Sequence, residues 1–212
     1  MGKSQLSLQD VQAMIISVSK NMIESKQQLT QADKAIGDGD HGVGMARGFE
    51  NVLKKVEGQE FTSIDQLFKA VGMAIMSSVG GAAGAVFGTL FRGAVKNLKD
   101  VDVLTSEIFS QMLVDGLQAV KDRGKSKPGD KTMVDALEPA AMKSQSLIAA
   151  PLDEALPAIA EAANAGMEST KDMVATVGKA KTLGQRSLGH PDPGAISTAL
   201  ILRFMAEYVT QA

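Results

Sequence analysis

Asp33, Asp38 and Asp40 fall within eight residues of one another in a glycine-rich turn, Asp33-Lys34-Ala35-Ile36-Gly37-Asp38-Gly39-Asp40-His41-Gly42. Carboxylates this crowded repel each other unless a cation lies among them, so the cluster asks for a hard, oxygen-seeking ion such as Mg²⁺. Asp38 and Asp40 stand two apart, which sends both side chains to one side of an extended or turning segment, and Asp33 reaches back from the helix before it. An EF-hand would need an acid at loop position twelve; counting from Asp38 gives Phe49, and that motif fails. The competing account is that the three acids merely cap helix ends in solvent.

Other segments have phosphate-binding chemistry to offer. Ser77-Ser78-Val79-Gly80-Gly81-Ala82-Ala83-Gly84 places small residues between two helical patterns, where backbone N–H groups can approach a phosphate at a helix N-terminus. Close helix packing explains the same glycines. His190-Pro191-Asp192-Pro193-Gly194 is a stiff turn whose backbone can grip a ligand at little ordering cost, or simply a helix entry. Lys179 and Lys181 can neutralise phosphate or remain solvated, and His41 can meet a phosphate or serve a structural bond. Two matches fail. Gly37-x-Gly39-x-x-Gly42 copies a dinucleotide fingerprint, yet no strand precedes it and acids fill its variable positions; Gly124-Lys125-Ser126 resembles the end of a Walker A loop whose first glycine would be Ala119.

The elements that must position these residues are helical. Apolar residues recur at helical spacing from Leu8 to Ile23, which predicts helix one over about Ser7–Leu29. Val43, Ala46, Phe49, Val52, Leu53 and Val56 mark a second helix ending before Gly58. A capping box at Thr62-Ser63-Ile64-Asp65 opens a third that stops near Gly80. Further helices are expected over Ala85–Leu98, Thr105–Arg123, Lys131–Ile148 and Leu152–Val177, with Pro139 and Pro157 kinking the last two or marking their first turns. Asp192-Pro193 opens the eighth. No strand is expected. Eight helices with short connections favour an all-α, up-down antiparallel barrel, in which the loops after odd-numbered helices share one end. The metal turn, the Gly80 turn, the Gly124 loop and the loop before Asp192 are those loops.

The chain has 212 residues, 44% hydrophobic and 22% charged, which suits a single domain over 1–212 with a substantial core. A net charge of −2 without a basic block argues against nucleic acid as a partner. Cysteine is absent, which excludes thiolate-bound zinc and disulfides. The polar start lacks a signal peptide, and no apolar run is long enough for a membrane span, so a soluble cytoplasmic protein is expected. A homodimer stays open.

Taken together, Asp33 with Gly37–Gly42, Ser77–Ala82, Arg123-Gly124-Lys125 with Pro128–Met133, and Gly189–Gly194 resemble the nucleotide-binding L subunit of dihydroxyacetone kinase and the corresponding domain of single-chain dihydroxyacetone kinases. The resemblance covers nearly the whole chain. It implies a closed barrel of eight antiparallel helices with ADP or ATP at one end, and two Mg²⁺ ions held by Asp33, Asp38 and Asp40. His41, Gly42, Val43, Gly44, Ala82, Ala83, Gly124, Met133, Lys179, Asp192, Pro193 and Gly194 would line the nucleotide site. Gly44 stands where many relatives carry asparagine, Ala83 where serine is common, and Lys179 near an arginine that contacts phosphate; lysine keeps the charge but loses the bidentate fork.

The implied reaction is in-line phosphoryl transfer from the nucleotide to dihydroxyacetone. The ketone would be held covalently on a histidine of a separate K subunit. His41 and His190 are the only histidines, and both lie within the nucleotide motifs. In the phosphotransferase-linked form, ADP stays bound and is rephosphorylated by a phosphohistidine on an M subunit; in the other form ATP exchanges each turn, with dihydroxyacetone or another small keto-sugar as acceptor. A metal-dependent phosphohydrolase and a helical scaffold with an incidental cation site are the rival readings.

Overall fold

The computed structural model describes residues 2–211. Nine α-helices make up most of them: α1 (Leu8–Glu24), α2 (Lys26–Ile36), α3 (His41–Val56), α4 (Ile64–Ser78), α5 (Gly81–Ala94), α6 (Ser106–Gly124), α7 (Met133–Gln145), α8 (Leu152–Ser169) and α9 (Pro193–Gln211). Local chemistry fixes many of their starts. Ser7 with Asp10, and Thr132 with Asp135, form capping boxes at α1 and α7, while Ser63 and Thr105 cap α4 and α6.

Each helix packs on the next in sequence, and α9 lies against α8, α7 and α1, which closes the ring. Because α1 and α2 follow one another along a single bent path, nine helices fill the eight positions of the expected up-down barrel. α9 is buried without interruption from Ala195 to Leu202. A helix enclosed on every side must be apolar all round, and its sequence from Ala199 to Leu202 is. The interior is dominated by aliphatic and aromatic residues, with Phe49, Phe87, Met14 and Met45 essentially inaccessible. A small apolar cavity, about 40 Å³, remains between Phe68, Phe91, Phe109 and Met205. No helix among the described residues is long and apolar enough to cross a membrane.

Several boundaries depart from the sequence expectation. Helix one breaks at Ser25, whose hydroxyl donates to the Asn21 carbonyl at 2.8 Å, and then resumes as α2 as far as Ile36. The extension beyond Leu29 is obscured in the sequence because Lys26, Gln27, Gln28 and Gln31 dilute the buried stripe of Leu29, Asp33 and Ile36. α5 begins at Gly81 rather than Ala85, since packing outweighs the poor helix propensity of glycine. α8 ends at Ser169, not Val177; 3₁₀ turns at Thr170–Asp172 and Lys179–Ser187 occupy much of the path to α9. Pro139 and Pro157 sit inside α7 and α8 without ending them. One short antiparallel pairing joins β1 (Leu6–Ser7) to β2 (Val103–Leu104), at the end opposite the acidic turn.

α7 and α8 approach most closely at Gly166, where a Cβ would lie 2.2 Å from the Asp135 carbonyl oxygen and 3.1 Å from the Ala136 Cα. Backbone cannot yield there. Gly166→Ala should lower stability by about 2 kcal/mol and the melting temperature by roughly 4–8 °C, read by thermal denaturation.

Candidate functional site

The turn between α2 and α3 brings the three acids together: one carboxylate oxygen from each of Asp33, Asp38 and Asp40 lies within 4.8 Å of the others. Asp33 is buried at the C-terminal end of α2, and its carboxylate accepts the His41 backbone N–H at 3.1 Å. Gly37 makes room for it, since a Cβ there would fall 2.2 Å from Asp33 Oδ1. Asp38 and Asp40 project into solvent. Asp40 occupies the N-cap position of α3, yet its side chain makes no capping bond. Only Asp33 therefore fits the helix-capping account, and the other two carboxylates point outward, uncommitted to any helix end. An all-oxygen donor set of this kind suits a hard divalent cation.

A cation already answers the repulsion. Lys179 Nζ lies 2.5 Å from Asp38 Oδ2 and 3.2 Å from Asp40 Oδ2, reaching across from the segment between α8 and α9. The hydrogen bond from Lys179 pulls the Asp38 carboxyl below its ordinary pKa, and Asp38 in turn raises that of the lysine. All three groups are well exposed, so the pairing organises the turn more than it stabilises the protein.

Beside the acids opens a cleft of about 430 Å³, lined by Asp38, Gly39, Asp40, His41, Val43, Gly44, Arg47, Val79, Gly80 and Ala83. Two helix N-termini meet there. α3 starts at His41 and α5 at Gly81, with Asp40 and Gly80 in their N-cap positions and no side-chain cap on either. Apart from the His41 N–H, which Asp33 accepts, the first-turn amides lack side-chain caps, and the positive ends of two helix dipoles face one space, an arrangement that favours anions. The acids and the amides are complementary: a polyanion can occupy the cleft provided a cation separates it from the carboxylates.

His41 ties this half of the site to α9. Its Nε2 lies 2.8 Å from Ser197 Oγ, and its ring approaches the Pro193 backbone. Burial lowers the imidazole pKa, with Asp33 and Asp40 opposing the shift in part, so the ring is neutral at pH 7. At the start of α9, Asp192 Oδ2 accepts the Ala195 N–H at 2.8 Å. Burial, reinforced by the charge of Asp135, raises the Asp192 carboxyl to about 7 against the pull of that N–H and of Lys131. Gly194 sits against Met133 at the first turn of α7.

Of the residues singled out in the sequence, Asp38, Asp40, His41, Val43, Gly44 and Ala83 line the cleft. Asp33 stands behind them, Gly42 and Ala82 lie on the same first helical turns, and Lys179 bridges the rim. Met133, Asp192, Pro193 and Gly194 form a second group, joined to the first through His41. Gly124 lies apart at the end of α6, near Val86 of α5. Sequence reasoning overlooked Arg47 and Ser197. Arg47 shares a helical face with Val43 four residues earlier, and its Nε donates to the Ser78 carbonyl at 2.6 Å. Ser197, a polar residue inside the apolar α9, carried a comparable signal.

The sequence pattern described as the DAK2 domain matches residues 35–207. The ADP-binding subunit DhaL of PEP-dependent dihydroxyacetone kinase 1 from Listeria innocua is 40% identical over 186 residues, covering 87% of this chain and 88% of the relative. The corresponding DhaL subunit from Escherichia coli is 41% identical over 182 residues, 84% of this chain and 86% of the relative. Among solved structures, the dihydroxyacetone kinase of C. freundii in complex with AMP-PNP and Mg²⁺ superimposes with a TM-score of 0.71 at 27% identity. The match covers 93% of this chain and 33% of that one, so the chain spans about a third of the C. freundii enzyme.

Two outcomes follow from the electrostatics. In Lys179→Met, the Asp38 titration should move up toward the ordinary carboxylate range by NMR, and the nucleotide-free protein should bind Mg²⁺ about two- to fivefold more tightly by calorimetry. Because Asp192 keeps its proton in the folded chain at pH values where the unfolded chain has lost it, its contribution to stability falls as pH rises from about 4 to about 7. Thermal melts at pH 5 and pH 8 should show Asp192→Asn gaining on the parent protein between those two pH values, by at most ~3 kcal/mol.

Proposed function

Because this chain belongs to the DAK2 domain family, we propose that it is the ADP-binding L subunit of a phosphoenolpyruvate-dependent dihydroxyacetone kinase. It is a kinase subunit, of the phosphotransferase type. The observation that carries the reading is the acidic trio set beside two uncapped helix N-termini, which calls for a cation and a polyphosphate at once. Identities of 40% and 41% to PEP-dependent subunits along most of the chain support the coenzyme form over exchange of ATP. The acceptor in this reading is dihydroxyacetone on a separate K subunit, the donor a phosphohistidine on an M subunit, and the setting the cytoplasm. The chain would act as one nucleotide-binding unit.

The residues divide the work by position. Asp33, Asp38 and Asp40 would hold two Mg²⁺ ions, which when bound neutralise phosphate charge and align the transferring group. The free amides of Gly42 and Val43 at the start of α3, and of Ala82 and Ala83 at the start of α5, would cradle phosphate oxygens, with His41 and Gly44 lining the same space. Lys179, freed from Asp38 and Asp40 once divalent cations serve them, would turn to the phosphates as a mobile positive charge. His41, neutral and fixed by Ser197, would offer a hydrogen bond without adding charge. Met133, Asp192, Pro193 and Gly194, with Gly124 at the margin, would receive the nucleoside end. Transfer then depends on placement and electrostatics, since no side chain need act as a covalent nucleophile.

Calorimetry with Mg²⁺ and ADP tests the site directly. Asp38→Asn and Asp40→Asn should each weaken Mg·ADP binding by about tenfold or more with the melting temperature nearly unchanged. Mass spectrometry of the purified protein should find ADP retained, and phosphoryl transfer to dihydroxyacetone should require the K subunit and the phosphohistidine donor. Phosphate release from nucleotide by the chain alone would instead identify a phosphohydrolase, and an empty, freely exchanging site would favour the ATP-dependent form.

A further inference from the structure

Lys131 is the only lysine buried among the described residues, with 1% of its surface exposed. Its backbone adopts φ +61°, a left-handed conformation that a long side chain normally avoids and that here turns the stem inward. Desolvation is the largest influence on its ammonium and lowers the pKa, while the charges of Asp192, Asp172 and Asp135 oppose the shift. Among the described residues, none of these acids is close enough for an ion pair. The ammonium instead donates to two backbone carbonyls, that of Thr170 at 2.5 Å and that of His190 at 2.6 Å.

Those two carbonyls belong to different segments. Thr170 directly follows α8, and His190 stands two residues before Asp192, so the ammonium pins the approach to α9 onto the end of α8. Thr170 adds a second link: its fully buried hydroxyl accepts the Asp192 N–H at 2.9 Å. A third comes from the Gly189 N–H, which donates to the Lys171 carbonyl at 2.8 Å. Lys131 itself lies two residues before Met133, which opens α7 and packs against Gly194. One buried charge thus joins the starts of α7 and α9 and the end of α8. An ammonium suits the task, because it presents several donors on a compact head where a guanidinium would need a wider space.

We propose that Lys131 is a positioning residue for nucleotide binding: by clamping the Thr170 and His190 carbonyls, it sets the Asp192–Gly194 turn against Met133 in the geometry that receives the nucleoside end of ADP. The inference rests on the nucleotide-binding reading above. Lys131 touches neither the acidic trio nor the cleft between α3 and α5, so its influence is confined to one half of the site.

Lys131→Met keeps the length of the stem and removes the donors. Three readouts separate positioning from bulk stability: Mg·ADP affinity by calorimetry well below the melting temperature, Mg²⁺ affinity without nucleotide, and amide exchange along the chain. We expect Mg·ADP to bind about tenfold or more weakly, Mg²⁺ alone to bind as before, and exchange to rise over residues 188–194 but not in α3 or α5. Unchanged Mg·ADP affinity in the folded variant, or no local rise in exchange, would overturn the proposal. Should Lys131→Met fail to fold, Thr170→Val removes the hydroxyl that receives the Asp192 N–H: weakened Mg·ADP binding supports the clamp, and parental binding overturns it. If the parent protein bound no Mg·ADP, the nucleotide reading would fall and this inference with it; parental binding matched by both variants would remove the inference alone.

Discussion

Like charges at 33, 38 and 40 stand closer together than they would remain unaided, and the design of this end of the molecule follows from how that repulsion is met. Asp33 is satisfied locally by the His41 N–H. Asp38 and Asp40 depend on a cation from elsewhere, which in the protein by itself is the Lys179 ammonium, far along the chain. The same two carboxylates cannot be fully served by Lys179 and by divalent ions at once. In the proposed function, exchange of one cation for another would couple the acidic turn to the segment between α8 and α9, and phosphate would give the displaced lysine somewhere to go.

The closed helical ring makes such coupling possible. Up-down threading delivers the connections after α2, α4, α6 and α8 to one end, where each contributes a different chemical group: carboxylates, uncapped amides, a loop braced by Asp130 and Asp135, and a basic segment leading to a turn. Side-chain hydrogen bonds brace these connections and tie them to their neighbours. Asp130 accepts from Thr176, Asp135 accepts from the Gly129 and Thr132 N–H groups, and His41 meets Ser197. Rigidity is thereby concentrated around the starts of α7 and α9, whereas the acidic rim stays exposed and able to change partners.

Much of this was legible before any coordinates. The spacing of apolar residues specified an all-helical chain and an even number of antiparallel positions, and the crowding of acids among glycines pointed to the turn where the three carboxylates meet. What the pattern concealed is equally instructive. The break at Ser25 and the continuation to Ile36 were hidden by a run of glutamines, because helix propensity and polarity there say nothing about which face is buried. The early end of α8 was hidden because neither proline nor glycine interrupts the sequence between Gly166 and Gly178. Lys131 gave no sign at all: lysine is ordinarily solvated, and only the enclosing segments reveal that its head group is spent on two carbonyls.

The sequence by itself determined the elements and the chemical inventory, since periodicity, capping residues and the identities of the acids are local properties carried by neighbours along the chain. Tertiary structure alone decided the partnerships. Which cation meets Asp38, which hydroxyl fixes His41 and which carbonyls receive Lys131 are contacts between residues 39 to 156 positions apart. Such contacts depend on ring closure, and no local pattern encodes them.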